Sequence, residues 1–231
     1  LLGGEFYVNV NQFAERDFPV DNVANQFDVD LPNRILKEGD KFGYDYNINI
    51  SRVAGWAQGV FKFNKVDFFL AGNVSQTAFH RDGNKRNGLF PDNSKGKGTV
   101  NRFTNYAGKA GVTYKIDGRN YVYANGSYLT RAPYFENVYI SPRTRNSQQD
   151  VVESEIIQTA EAGYVLNAPK LKIRLGGYYT RFQNGMDVMT FYHDAYQNFV
   201  NYAINGIDKL HFGGEIGVEA RITPTITLNA A

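Results

Sequence analysis

Apolar and polar residues alternate along most of this chain, and this period of two residues constrains the fold more than any other feature. Within Lys209–Ile222, apolar residues and Gly occupy every even position, and every charged side chain occupies an odd one. The same rule holds in Tyr106–Ile116, in Phe42–Ile50 and, with opposite parity, in Lys170–Tyr179. Successive side chains of a β-strand point to opposite faces of the sheet, so these segments are predicted strands with one apolar and one polar face.

The parity of the alternation changes near Ser51 and Arg52. Apolar residues occupy the even positions of Phe42–Ile50, whereas the odd positions of Val53–Phe63 carry them. A shift by one residue moves every following side chain to the other face, so this change predicts a β-bulge or a tight turn before Val53–Phe63. With two further segments that alternate more loosely, the chain holds about ten predicted strands.

The predicted connections between strands alternate between short and long. The short ones lie at 64–65, 117–120, 167–169 and 223–224, and the long ones lie near 15–39, 81–103, 132–153 and 184–208. In an antiparallel meander, alternate connections lie at opposite ends of the sheet, so the short turns share one end and the long polar loops share the other. This segregation is typical of outer-membrane β-barrels, whose short turns face the periplasm and whose long loops face outward.

Any membrane-spanning segment of this chain must be a strand. The mean hydropathy is −0.43, and the sequence contains no apolar run of the roughly 18 residues that a transmembrane helix needs. A transmembrane strand needs about 9–11 residues that are apolar on one face alone. Because backbone groups in lipid must all be paired, such strands close into a barrel. We therefore predict an all-β antiparallel meander within a transmembrane β-barrel, with lipid outside and a hydrated or filled lumen.

Composition and motifs argue against several other classes of function. The chain has no Cys, which excludes disulfides, zinc–thiolate sites and a cysteine nucleophile. The net charge of +2 is too balanced to indicate a nucleic-acid partner. The sequence has no nucleophile elbow and no phosphate-binding loop, and His80, His193 and His211 lack metal-ligand spacing. We therefore expect no catalytic residue, no metal site, no cofactor and no enzymatic activity.

The middle and end of the chain resemble the barrel of TonB-dependent receptors, the large outer-membrane transporters of Gram-negative bacteria. A Gly- and Tyr-containing strand, a short turn and an aromatic strand that ends in Arg-Ala-Pro carry this resemblance, at Asn105–Ile116, Asn120–Tyr128 and 130–133. The segments that follow them in similar order are Glu155–Tyr164, which ends in Glu-Ala-Gly-Tyr, then 177–182 and 214–220. The resemblance covers roughly residues 40–231.

The resemblance implies a barrel of about 22 strands with an N-terminal plug inside it. On this reading, residues 1–231 are a partial barrel domain that lacks the plug and the first strands. The implied function is import of a bulky nutrient (a siderophore, a cofactor or an oligosaccharide) across the outer membrane of a Gram-negative bacterium. The implied partners are outer-membrane lipid and lipopolysaccharide, the plug domain, a TonB-type energising protein that acts through the missing N-terminal part, and the nutrient itself.

Candidate ligand contacts lie in the predicted outer loops. Tyr and Arg are favoured contact types, and Arg131, Tyr134, Arg143 and Arg145 are expected to stand above the lumen. The basic segment 81–102 is either a contact for anionic lipopolysaccharide or an anionic ligand, or a solvated loop.

Two further clusters admit a functional and a structural interpretation. His80, Arg81 and Asp82 sit at a predicted outer rim, where a catalytic group is one interpretation and a solvated rim is the other. His211, Glu215 and Glu219 share one strand face. They could form a proton path or a cation site, or they could simply be lumen residues.

Three alternative functions remain open at the level of sequence. The chain could be a complete small porin or adhesin barrel, an outer-membrane enzyme with its site at the rim, or a soluble all-β binding module. A plug domain encoded upstream of Leu1, conductance by the isolated chain, or a two-sheet core that is soluble without detergent would separate these possibilities.

Overall fold

The structure is a computed structural model that describes residues 5–15, 28–31 and 41–231. Its elements, in chain order, are β1 (Glu5–Glu15), β2 (Lys41–Lys62), β3 (Val66–Gly83), β4 (Gly96–Lys97), β5 (Asn101–Lys115), β6 (Asn120–Arg131), α1 (Phe135–Val138), β7 (Glu155–Ala168), β8 (Leu171–His193), β9 (Asn198–Arg221) and β10 (Thr227–Ala230). No helix in the described ranges is long and apolar enough to cross a membrane.

The strands form one antiparallel sheet in which each strand pairs with the next along the chain. The order is β1-β2-β3-β5-β6-β7-β8-β9-β10, and the two-residue β4 pairs with β3. The predicted all-β meander is therefore confirmed, and the described strands form a single sheet rather than two packed sheets. Tight connections at 63–65, 116–119 and 169–170 lie at one end, called here the turn end, and the connections 84–100 and 132–154 lie at the opposite, loop end.

The predicted long loop at 184–208 is wrong. Most of this segment continues the β8–β9 pair as a two-stranded ribbon, from Asp187 opposite Ile204 to His193 opposite Asn198. Two irregularities interrupt the pairing between Phe182 and Asp187, where Asn184 adopts a positive φ of 58°. The polar Asn and Gln residues that indicated a loop lie on the exposed faces of this ribbon. The predicted connection near 15–39 lies outside the described residues, apart from 28–31.

The two faces of the sheet are defined by what packs on them. The covered face carries Phe79 and Arg81 of β3 and contacts the connection 132–154, where the Phe79 and Phe135 rings lie 6.0 Å apart. The open face carries Leu70 and Val74 of the same strand, which are 55% and 60% exposed. The predicted alternation is confirmed in β9, where Leu210, Phe212 and Ile216 are exposed and lie on the open face, opposite the charged side chains of that strand.

The predicted bulge or turn near Ser51 is also wrong. β2 pairs with β3 without interruption from Tyr46 opposite Gly83 to Lys62 opposite Asp67. What changes at this level is the face that is apolar. Toward the loop end, Tyr46 and Ile48 point to the covered face and are buried, because the connection 132–154 packs over them. The parity change therefore marks the point where the covered face becomes the apolar one, while the pairing of β2 with β3 continues without a bulge.

The same change of apolar face occurs in neighbouring strands at the same height. In β3, the exposed Leu70 and Val74 of the open face give way to the buried Phe79 of the covered face. In β5, Tyr106 of the open face is exposed, whereas Phe103 of the covered face is buried. Val53, Gln76 and Thr104 are paired neighbours at this height, and we call their row the switch line.

Positions between the switch line and the loop end are described here as beyond or above it, and positions between it and the turn end as below it. The main apolar core lies on the covered face beyond the switch line. Phe79 packs against Phe103 at 5.6 Å, and Phe135 stacks on Tyr139 at 4.5 Å between ring centroids. Short helix α1 brings Phe135 and Val138 into this cluster, which also contains Tyr46, Ile48, Tyr139 and Met186. The core fixes the connection 132–154 to the sheet and so positions the side chains described next.

Candidate functional site

A cavity of about 220 Å³ opens at the loop end of the covered face. Residues of β6, α1, β7, β8 and β9 line it. α1 reaches the cavity because the chain leaves β6 at Arg131, turns at Pro133 and enters α1 directly. Its lining combines charged, aromatic and thioether side chains, namely Arg131, Tyr134, Asn137, Glu155, Phe182, Met186, Asp187 and Lys209, with Pro133, Asn184, Gly185 and Ile207.

Arg131 is held in one orientation in this cavity. Its Nε donates to Glu155 Oε2 at 3.0 Å, its Nη2 makes an ion pair with the same carboxylate, and its Nη1 donates to the Tyr134 hydroxyl at 3.1 Å. Arg131 and Glu155 are directly paired residues of β6 and β7, which places the guanidinium within reach of the carboxylate. The guanidinium also lies 4.9 Å from the Tyr134 ring centroid. The arrangement places a neutralised guanidinium and an exposed phenol in the wall of the cavity.

The structure brings together two of the four predicted contact residues and separates the other two from them. Arg143 stacks on the Tyr44 ring with 5.1 Å to the centroid, and Arg145 stacks on Phe90 at 4.3 Å. Neither side chain lines the cavity. Both residues follow the core helix on the far side of the connection 132–154, a placement that depends on tertiary packing.

Sequence reasoning missed several residues that line the cavity. Met186 reaches it because the backbone irregularity near Asn184 turns the β8 chain, and Asn137 Nδ2 fixes this bend by donating to Met186 O at 2.7 Å. Lys209 arrives through its pairing with Phe182. The Asn184-Gly185 dipeptide, a common turn signal, was the one local indication of this bend.

Arg81 is buried to 2% exposure and joins both long connections to the sheet. Its Nε donates to Pro142 O at 2.5 Å, and its Nη1 donates to Ser94 O and to Asn146 Oδ1, each at 2.7 Å. The guanidinium lies 5.0 Å from the Tyr46 ring centroid. Burial lowers the pKa of Arg81 and raises that of Tyr139, whose hydroxyl accepts a hydrogen bond from the Arg81 backbone N–H at 3.1 Å. We call this set of contacts the Arg81 clamp.

The rim residues His80, Arg81 and Asp82 do not converge on a common site. Arg81 points to the covered face, whereas its neighbours lie on the open face. Burial and the Lys97 ammonium lower the pKa of His80. His211, Glu215 and Glu219 are spread along β9, where Glu219 binds Lys172 at 2.9 Å and His211 contacts the Phe182 ring. Within the described ranges, no group of three or more acidic or His side chains could hold a metal ion.

Below the switch line, the covered face carries a polar network. Tyr123 donates to Glu161 Oε1 at 2.7 Å, and Arg174 Nη2 donates to the same oxygen at 3.2 Å. Beside it lies a groove of about 660 Å³ lined with glycines of β8 and β9. The open face at this height is apolar, so the two faces of these strands differ in polarity.

Comparison with known proteins identifies the family of the chain. A family model described as "TonB dependent receptor-like, beta-barrel" matches residues 2–231. The chain belongs to the TonB-dependent receptor family. The resemblance carried by 105–133 and the later segments is thus confirmed, and the family match extends further toward the N-terminus. Members of this family are receptors and transporters of the Gram-negative outer membrane rather than enzymes.

Solved structures of TonB-dependent receptors share the fold of this barrel chain. The copper transporter OprC matches with 16% identity and a TM-score of 0.59, over 81% of this chain and 28% of its own. The ferric-catecholate import receptor Fiu from K12 E. coli matches with 14% identity and a TM-score of 0.55, over 95% of this chain and 32% of its own. The chain thus spans less than a third of the length of either. No curated protein matches the chain.

Proposed function

We propose that this chain forms part of the wall and outer loops of an outer-membrane receptor that imports a bulky nutrient with energy from a TonB-type protein. Family membership supports the general class, and one structural observation carries the assignment to this chain. The open face is apolar below the switch line and polar above it, as expected for a strand that leaves hydrocarbon and enters water. The polar covered face would then line the lumen and contact a plug domain.

The height of the apolar band fits a bilayer. On β9, open-face apolar residues and Gly run from Leu210 to Ala220. At about 3.3 Å per residue and a tilt of about 40°, this stretch rises roughly 25 Å, which matches the lipid-facing band of outer-membrane barrels. Tyr106 and Tyr128 stack at 6.0 Å near its outer border, where aromatic side chains are expected.

Nitroxide labels test this placement in the complete gene product in lipid vesicles. We expect a label at Ile216 to collide mainly with oxygen dissolved in hydrocarbon, and labels at Glu215 and Asn49 to collide mainly with a water-soluble nickel chelate. Glu215 is the covered-face neighbour of Ile216, and Asn49 is an open-face residue beyond the switch line. Equal nickel access at Ile216 and Asn49 would show that no lipid boundary lies between them.

We assign ligand contact first to Arg131 and Tyr134, because they share the cavity at the loop end. Arg143 and Arg145 would contact a ligand large enough to extend across the connection 132–154. Lipopolysaccharide would meet Arg102 on the open face beyond the switch line. In the same basic segment, Arg86 and Lys95 bind Asp30 at 3.6 and 2.5 Å, which reduces their availability to an anionic lipid.

Uptake assays test the import proposal. Cells that depend on the complete gene product are offered radiolabelled ferric siderophores, cobalamin and oligosaccharides in turn, and we expect one of these to accumulate in a TonB-dependent manner. For that nutrient, Arg131→Ala should raise the half-saturation concentration about tenfold. The control Arg119→Ala removes an exposed arginine at the turn end, far from the cavity, and should change that concentration less than about twofold. If no nutrient accumulates, or if uptake persists without the energising protein, the import proposal fails.

A further inference from the structure

The β8–β9 ribbon differs from the other described strands beyond the switch line in the polarity of its open face. Elsewhere at that height, the open face is polar, as at Asn49 and Thr104. On the ribbon, Met189, Phe191 and Tyr202 are 55%, 44% and 59% exposed. We propose that this side of the ribbon docks a protein partner that presents basic side chains beside apolar ones.

Hydrogen bonds identify which side of the ribbon is free. Asn201 Nδ2 donates to Ile140 O at 2.6 Å, and Thr190 Oγ1 donates to Asn201 Oδ1 at 2.8 Å, so this side faces the connection 132–154. Directly paired residues share a face, and alternate residues point the opposite way. The free side therefore carries Met189 paired with Tyr202, Phe191 paired with Val200, and His193 paired with Asn198.

The bilayer does not cover this free side if the membrane placement proposed above holds. Arg181 and Asp208 form a bidentate ion pair, with Nη2 to Oδ2 at 2.5 Å and Nε to Oδ1 at 3.2 Å. This charged pair separates the apolar band below from the ribbon above. Tyr202 lies six residues beyond Asp208, or roughly 20 Å along the strand. The apolar side chains of the ribbon thus project into the aqueous exterior.

The free side presents a contiguous apolar patch of a size that is often functional on a protein surface. Met189, Phe191 and Tyr202 of this side are 55%, 44% and 59% exposed. At about 200 Å² per side chain, they present roughly 300 Å² to solvent, which lies within the range of the largest apolar patch on a typical monomer. One partner of a typical complex contributes about 800 Å², so polar residues of the same side would supply the rest of the interface. Tyr, Phe and Met are also the residue types that interface cores favour.

Charge indicates the chemistry of the partner. Residues 184–208 contain no Lys and no Arg. Asp187 and Asp194 are exposed, and neither forms an ion pair within the described part of the chain. The faces of aromatic rings carry partial negative charge and attract cations. An aromatic surface with carboxylates and without cations complements a basic, partly apolar protein surface, and it would repel an anionic lipid headgroup.

A binding assay tests this inference on the complete gene product in detergent micelles. The probe is a short synthetic peptide of alternating Arg and Leu, and the comparison peptide carries Glu in place of Arg. We expect the basic peptide to bind saturably and the acidic peptide to bind at least tenfold more weakly. The double variant Phe191→Ser/Tyr202→Ser should lower the affinity for the basic peptide about tenfold. Asp194→Asn should weaken it about threefold.

Matched controls separate the ribbon from other exposed aromatic residues. Tyr134→Ser removes a ring of similar exposure in the loop-end cavity and should leave peptide affinity unchanged. Equal binding of both peptides, or unchanged binding in the ribbon double variant, would overturn the proposal. Ribbon-dependent dimerisation or binding of a neutral dextran with no binding of the basic peptide would also overturn it. The readout needs no transport, so its failure and that of the import proposal remain distinguishable.

Discussion

Arg81→Met is expected to release both long outer connections from the sheet. The substitution leaves Pro142 O, Ser94 O and Asn146 Oδ1 without the donor that now satisfies all three. Each orphaned buried acceptor costs about 1–3 kcal/mol, so we expect a loss on the order of 3–5 kcal/mol in local stability. Arg81→Lys should rescue little, because one ammonium cannot reproduce the fork of the guanidinium.

Hydrogen exchange measured by mass spectrometry checks this expectation. Peptides from 84–100 and 132–154 should exchange faster by two orders of magnitude or more, while β8 and β9 below the switch line should stay protected. Arg131→Met is the matched control, since Arg131 is a partly exposed arginine whose partners are the Glu155 carboxylate and the exposed Tyr134 hydroxyl. It should cost less than about 1 kcal/mol. Unchanged exchange in both connections of the Arg81 variant would show that the core around Phe135 holds them without the clamp.

Gly163→Ala is expected to disrupt the pairing of β7 with its neighbours. Gly163 lies directly opposite Tyr123, whose ring covers it, and an added Cβ would lie 2.6 Å from Tyr123 Cε1 and closer still to Leu175 O. The ring could move, but the carbonyl belongs to the backbone of β8 and cannot. We expect destabilisation of about 1–3 kcal/mol, with loss of the Tyr123–Glu161 hydrogen bond.

Urea titration of the folded protein in micelles measures this effect through the midpoint of unfolding. Gly217→Ala provides the control, because Gly217 lies on the same covered face of β9 and an added Cβ there meets no atom within 4 Å. The control should match the parent protein. If Gly163→Ala also matches the parent, the close approach of Leu175 O to this strand is incorrect.

The amount of structure that could be predicted from sequence differs between regions. Below the switch line, alternation in 106–116 and 209–222 identified strands, faces and turns, because an apolar open face and a polar covered face impose one pattern on every strand. Beyond the switch line, the same reasoning failed twice. It interpreted the parity change near Ser51 as a bulge, and it assigned the ribbon 187–204 to a loop.

Both errors have the same physical cause. A period of two residues reports which face is apolar, but it does not report what covers that face. In β2, the connection 132–154 folds onto the sheet and turns Tyr46 and Ile48 into core residues. In the ribbon, cross-strand pairing satisfies the backbone of a segment rich in Asn, which looks like a loop when viewed locally.

The sequence by itself determined the strand pattern and the family, because these depend on local periodicity and short motifs. Only the tertiary structure decided that Arg131 and Tyr134 share a cavity with Lys209 while Arg143 and Arg145 do not, and that Arg81 is a buried clamp. These facts depend on contacts between residues far apart in the chain. Pairing of successive strands and packing of one long connection create those contacts, and no local pattern encodes them.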